Sequence, residues 1–90
     1  MEHDSLKQYT FINNTELYRF ELRINNIIAY VNYIIDGNNL MIVNTHIPRE
    51  FHALNGFGEL LFNKIKKFSK SNSILLSSNC PYANALMRKV

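Results

Sequence analysis

The sequence predicts an α+β fold: a mixed, mostly antiparallel sheet, a main amphipathic helix packed against it, and a short C-terminal helix. Three observations predict it. Apolar residues first recur at every second position, in runs separated by Asn- and Gly-containing turns. After Ile47-Pro48 the period lengthens to that of a helix. A short apolar run, Ile74-Leu75-Leu76, then follows that helix, which allows a parallel crossover back onto the sheet. Ninety residues suffice for one domain, residues 1–90, and are too few for two.

Each element has its own signal. A short strand over about residues 8–13 opens a meander. Tyr18, Phe20, Leu22 and Ile24 alternate with Arg19, Glu21 and Arg23, which reads as a half-buried strand. Residues 27–35 are apolar on both faces, as a central strand is. A third run, residues 40–47, is joined to it by Asp36-Gly37-Asn38-Asn39, a hairpin-sized connection. The pairs Asn13-Asn14, Asn25-Asn26 and Asn38-Asn39 supply turn chemistry, because Asn tolerates left-handed geometry and bonds its own backbone. Phe57, Leu61, Ile65 and Phe68 share one face of a helix over about residues 58–70, with Asn63, Lys64, Lys66 and Lys67 outward. The lysines crowd its last turns, where they complement the helix dipole and read as a solvated face. Residues 74–76 read as a buried strand and residues 81–88 as a closing helix with Pro81 near its start.

Composition narrows the function classes. With 47% hydrophobic and 12% aromatic residues, the chain has the apolar area to offset ordering entropy and is not a disordered segment. No apolar run approaches the ~18–20 residues needed to cross a bilayer. The start, Met1-Glu2-His3-Asp4-Ser5, lacks a secretory pattern. A single cysteine, Cys80, cannot form an internal disulfide, so the cytoplasm is the default location. A net charge of +3 suits a polyphosphate ligand or a nucleic acid, and equally suits proteins that bind neither.

The segment Ala53-Leu54-Asn55-Gly56-Phe57-Gly58-Glu59 connects a strand to the amphipathic helix. Its two glycines let backbone approach a ligand, and the first helical turn leaves N–H groups unpaired at the positive end of the dipole. Together these suit an anion such as pyrophosphate. A Gly-x-Gly pair alone also suits a plain strand-to-helix turn. The third glycine of the dinucleotide fingerprint and the Gly-Lys-Ser/Thr of the P-loop are both missing. Glu59, in the first turn, opposes a bound phosphate unless it points away.

The runs Asn44-Thr45-His46-Ile47-Pro48, Gly56-Phe57-Gly58-Glu59-Leu60-Leu61 and Cys80-Pro81-Tyr82 resemble the short single-domain N-acetyltransferases of the GNAT superfamily (the YjdJ-type group). Those proteins carry a strand ending His-Thr-x-Val-Pro, a glycine loop before a helix, and a later strand leading into Cys-Ser/Pro-Tyr. The resemblance covers about residues 18–89 and implies a GNAT-like acyl-CoA-binding domain. It implies acetyl-CoA in a cleft between the strand ending at Ile47 and the strand ending near Ser78. Pantetheine would pair with backbone at Thr45, His46 and Ile47. The pyrophosphate would rest on backbone from Leu54 through Asn55, Gly56, Phe57, Gly58 and Glu59. Two departures stand out: Ala53 where the family has Arg or Gln, and Asn44 where it often has His.

Cys80 follows a strand and precedes a helix, an environment that lowers a thiol pKa and suits an acyl-accepting thiolate. It reads equally as a buried small hydrophobe. Direct attack by an amine on the thioester needs only a base, and His46, Asn44 through a bound water, and Tyr82 are candidates. His46 and Asn44 lie two positions apart, so they share a strand face. His3 and His52 read as surface histidines. The expected function is acetyl-CoA-dependent N-acetyl transfer to an amine, on a small molecule or a protein, without a metal. The alternatives are a non-catalytic acyl-CoA-binding or regulatory module and a small nucleic-acid-binding domain. The strand order and the lack of an RNP run argue against the last. A free sheet edge leaves the chain a monomer or a homodimer.

Overall fold

A computed structural model describes residues 8–54 and 56–90. Four antiparallel strands come first: β1 (Thr10–Asn14), β2 (Arg19–Ile24), β3 (Ile27–Asp36) and β4 (Asn39–His46). A single 3-10 turn, Arg49–Phe51, leads to helix α1 (Phe57–Ser71), then to strand β5 (Leu75–Ser78) and helix α2 (Pro81–Met87). The sheet runs β1-β2-β3-β4-β5, and only β5 is parallel to its neighbour. The α1 crossover imposes that direction, since it returns the chain to the end of the sheet where β4 began.

The turns work as their residues dictate. Asn25 (φ 58°) and Gly37 (φ 61°) take left-handed backbone between β2 and β3 and between β3 and β4. The pair Asn13-Asn14 differs from expectation by ending β1 rather than lying outside it. Asn14 still opens the turn, because its Oδ1 accepts the Leu17 N–H at 3.2 Å. Asn13 Oδ1 accepts the Tyr33 hydroxyl at 2.6 Å, which ties β1 to β3.

The core lies between α1 and one face of the sheet. Phe20 and Leu22 of β2, Ala29 and Val31 of β3, and Leu40 and Ile42 of β4 meet Leu61, Phe62 and Ile65 of α1, all essentially inaccessible to water. Each large side chain buried there contributes ~1.5–3 kcal/mol. Phe68 completes the stripe edge-on to Phe20, with ring centroids 5.3 Å apart. Two of the lysines do more than face solvent. Lys66 Nζ donates to the Val90 carbonyl at 2.8 Å, and the Lys64 ammonium lies 5.4 Å from the centre of the Tyr9 ring. Lys67 and Lys70 are exposed, as the pattern predicts.

Burial along β3 alternates instead of covering both faces. Ala29, Val31 and Tyr33 are buried, Ile28, Tyr30 and Asn32 are half-buried, and Ile34 is 60% exposed. On this open face Glu21 is the exception, with no exposed surface. Arg19 Nε donates to its Oε2 at 2.7 Å, Arg23 donates to its Oε1 from two nitrogens at 2.6 and 3.1 Å, and Asn14 Nδ2 donates at 3.1 Å. The Arg19 guanidinium also stacks 4.4 Å from the centre of the Tyr30 ring, and Tyr30 lies against His46 at 4.9 Å. Ile12, Glu21, Tyr30 and His46 are register partners in one row across four strands.

Burial pushes the Glu21 carboxyl up, but the hydrogen bonds from Arg19, Arg23 and Asn14 together outweigh it and hold the pKa below its ordinary value. A carboxylate lowered in this way stabilises the fold fully above its unfolded pKa of ~4.3, and the contribution is lost as pH falls through the folded value. Glu21→Gln should therefore cost about 1–3 kcal/mol at neutral pH, since both arginines keep some contact with water. Melting curves of the two proteins should converge on acidification. A gap that stays constant into acid contradicts this account.

Gly58 lies where the two helices approach closely. A Cβ there would stand 2.8 Å from Leu86 Cδ1 and 3.0 Å from the Tyr82 hydroxyl. Gly58→Ala should force the Leu86 and Tyr82 side chains to shift and cost about 1 kcal/mol by overpacking. Denaturant unfolding measures that cost, and an unchanged midpoint contradicts the close approach.

Candidate functional site

β4 runs past the strand beside it. Its pairing with β5 spans Asn39–Leu75 to Ile42–Ser78, and the last bond across is the Asn79 N–H to the Ile42 carbonyl at 3.1 Å. Beyond that point β4 continues to His46, while the other chain turns at Cys80 into α2. The two strands part there.

The parting coincides with a β-bulge. Tyr33 faces Ile42 and Asn32 faces Asn44, so Val43 is an extra residue on β4. The bulge reverses the alternation. Leu40 and Ile42 point into the core, but beyond Val43 it is Thr45, partner of the buried Val31, that points to the same side. Asn44 and His46 turn to the open face. Asn44 Nδ2 donates to Asn32 Oδ1 at 3.1 Å, and His46 packs on Tyr30.

A cavity of about 600 Å³ opens on the core side of this split, within the usual range for small-molecule sites of ~300–1,000 Å³. Thr45 and Ile47 line one wall, and Tyr82 and Leu86 of α2 line another. Phe51, His52 and Leu54 of the connecting loop, with Gly56, Phe57, Gly58 and Glu59 at the start of α1, close the third. Phe51 and Phe57 stack at 4.4 Å, which fixes the loop against the helix. The Leu54 carbonyl accepts the Phe57 N–H at 3.2 Å, and Gly56 takes the N-cap position with a left-handed φ of 76° and no side-chain cap. His52 Nε2 lies 3.2 Å from the Ile47 carbonyl and straps the loop to the end of β4.

Cys80 is half-buried just behind this wall. Its thiol donates to Thr45 Oγ1 at 3.7 Å, a bridge between the parted strands. Burial pushes the thiol pKa up. The N–H groups of Ala83 and Tyr82, with the hydroxyl and backbone of Thr45, together outweigh burial and hold it below the ordinary thiol value. Tyr82 moves the other way: burial and then the Glu59 charge raise its phenol.

Of the residues singled out from sequence, the cavity gathers Thr45, Ile47, Leu54, Gly56, Phe57, Gly58, Glu59 and Tyr82, with Cys80 adjoining Thr45. It does not gather the side chains of Asn44 and His46. Both share a face, as their spacing requires, but the Val43 bulge makes it the face away from the cavity. Asn55 and His3 lie outside the described residues. His52, read from sequence as a surface histidine, is exposed but lines the cavity. Phe51 and Leu86 carried no sequence signal of a site, although Leu86 lies one helical turn from Tyr82. Gly58 serves helix packing first, since the Tyr82 and Leu86 side chains occupy the space beside it.

Among the described residues there is no group of three or more His, Cys, Asp or Glu placed to hold a metal, and no helix long and apolar enough to cross a membrane. Comparisons of the chain with protein-family models, curated proteins and solved structures find no match.

The Cys80 environment is testable by itself. Thr45→Val removes the hydroxyl from the thiol and should raise the Cys80 pKa, shifting the pH profile of iodoacetamide alkylation to higher pH. An unmoved profile means that the Thr45 hydroxyl does not stabilise the thiolate.

Proposed function

We propose that this chain binds acetyl-coenzyme A in the split between β4 and β5 and transfers the acetyl group to an amine, in the manner of the short single-domain GNAT-superfamily acetyltransferases that its sequence resembles. The observation that carries the reading is the cavity itself. It opens where β4 outruns β5, it is bounded by the glycine loop and the first turn of α1, and it ends at Thr45 beside Cys80. Pantetheine would lie along the freed end of β4 and the pyrophosphate near the glycine turn, although the Leu54 and Phe57 N–H groups expected to hold it already donate to the Phe51 and Leu54 carbonyls. The acetyl thioester points toward Thr45.

Two routes serve transfer. In the first, the amine nitrogen attacks the thioester carbon directly, the carbon–sulfur bond to coenzyme A breaks, and a proton passes from the amine to solvent. In the second, the Cys80 thiolate attacks first, coenzyme A leaves as the thiol after taking a proton, and the amine then displaces Cys80 from the acyl-cysteine. The lowered pKa of Cys80 supports the second route. Tyr82 lines the same cavity and its hydroxyl would be a hydrogen-bond donor to the departing sulfur, although its raised pKa makes it a weaker acid than an ordinary phenol.

A non-catalytic acyl-CoA-binding module is the second reading, favoured by one observation. Asn44 and His46 face away from the cavity, which leaves His52 as the only imidazole lining it among the described residues.

Acetyl-CoA at ~100 times its dissociation constant should stabilise the protein by about 2.7 kcal/mol, read as a rise in melting temperature. No rise at millimolar acetyl-CoA refutes the reading. Cys80→Ala should keep that rise. It should abolish both acetyl-cysteine, seen by mass spectrometry, and release of coenzyme A thiol to amines if the relay operates. Undiminished turnover in the variant selects direct attack, and no turnover by wild type on any amine selects the binding module.

A further inference from the structure

The cavity is large enough for a coenzyme but carries little positive charge. No Lys or Arg lines it among the described residues, and its one carboxylate is Glu59. That carboxylate does not point away. Glu59 Oε1 lies 3.7 Å from where a Cβ on Gly56 would stand, so the side chain folds back over the glycine turn. Its field also reaches across the cavity, where it helps raise the Tyr82 phenol. The wall formed by the end of β4 carries Thr45 and Ile47, with no charged side chain, and suits an uncharged chain.

We propose that Glu59 is a specificity-determining residue of this cavity: its carboxylate, folded over the glycine turn, penalises phosphate charge on the thioester donor. The inference rests on the coenzyme reading and adds to it the ligand feature that the site disfavours. A carboxylate several ångströms from a diphosphate repels it by an amount that depends on local dielectric and corresponds to roughly three- to thirtyfold in affinity. A pantetheine thioester without phosphate does not feel that repulsion. Ala53 fits the same logic, because the loop places no guanidinium or carboxamide at that position to offset Glu59.

The test uses two donors and two proteins. Binding of acetyl-CoA and of S-acetylpantetheine is measured by calorimetry on wild type and on Glu59→Gln, with Glu59→Ala as a second charge-removing variant. Glu59 is exposed but sits in the first turn of α1, so both variants should remain folded and melt only slightly below wild type without ligand. The proposal expects acetyl-CoA to bind roughly three- to thirtyfold tighter to the variants at low salt. It expects S-acetylpantetheine to be unaffected, and the wild-type-to-variant gap to shrink at about 0.5 M salt. Equal acetyl-CoA affinity in wild type and variants overturns the role of Glu59 and leaves the coenzyme reading intact. The same gain for both donors also overturns it, because the effect is then one of shape. Failure of both donors to bind any of the proteins overturns the coenzyme reading, and this inference with it.

Discussion

The cavity exists because β4 is longer than the strand it pairs with. β5 matches β4 only from Asn39 to Ile42, and the remaining residues of β4 lose a neighbour on that side. A free strand edge inside a small fold demands a solution, since its backbone groups need partners and its side chains need cover. Here the chain answers by bulging at Val43 and turning at Cys80, so the two strands diverge rather than ending together. The space between them is then roofed by α2 and by the loop entering α1.

Packing keeps that space open. Phe51 and Phe57 stack on each other, and Gly58 lets α2 approach α1 closely enough for Leu86 and Tyr82 to fit against the first turn. Each of these contacts satisfies an apolar surface that could otherwise have collapsed into the split. Thr45 and Cys80 then hold the two diverging strands across it with a sulfur–hydroxyl contact. The opposite face of the sheet is stabilised differently. Without a helix over it, Glu21 is sealed by Arg19 and Arg23, and the row continues through Tyr30 to His46. One face is therefore dry and apolar and the other is a layer of charge and rings, with the split joining them.

Much of this fold was legible in the sequence, and the parts that were not share a cause. Strand and helix positions followed from period and turn chemistry, because Asn25, Gly37 and Pro81 occupy the backbone roles their side chains favour. The parallel return of β5 followed from the length of the crossover. Side-chain direction in the second half of β4 did not follow, because a bulge leaves no mark on composition: Leu40, Ile42, Asn44 and His46 read as one face until Val43 interrupts them. Residues 27–35 read as buried on both sides because apolarity does not reveal how many layers cover a sheet. The burial of Glu21 was hidden for a related reason. Its place among Arg19 and Arg23 looks like a solvated strand face, and only rotamers that fold both guanidinium groups over the carboxylate exclude water from it. The glycine loop, read from sequence as an anion cradle, lines the cavity, while Phe51 and Leu86 reach its wall through tertiary packing alone.

The chemistry that the cavity suits turns on two groups whose environments pull in opposite directions. Cys80 and Tyr82 are near neighbours in sequence at the start of α2, yet the thiol pKa is held below its ordinary value and the phenol pKa above its own. The helix supplies both effects. Its first N–H groups, from Tyr82 and Ala83, point back at the sulfur that precedes it. The Tyr82 ring projects from the helix toward Glu59, whose charge opposes a second negative charge nearby. On the proposed reading Cys80 would be the nucleophile and Tyr82 a hydrogen-bond donor, an arrangement in which neither role needs a histidine. With Asn44 and His46 carried to the far face by the Val43 bulge, on the proposed reading the short Cys80-Pro81-Tyr82 segment assumes the proton and acyl handling that the end of β4 cannot perform from inside the cavity.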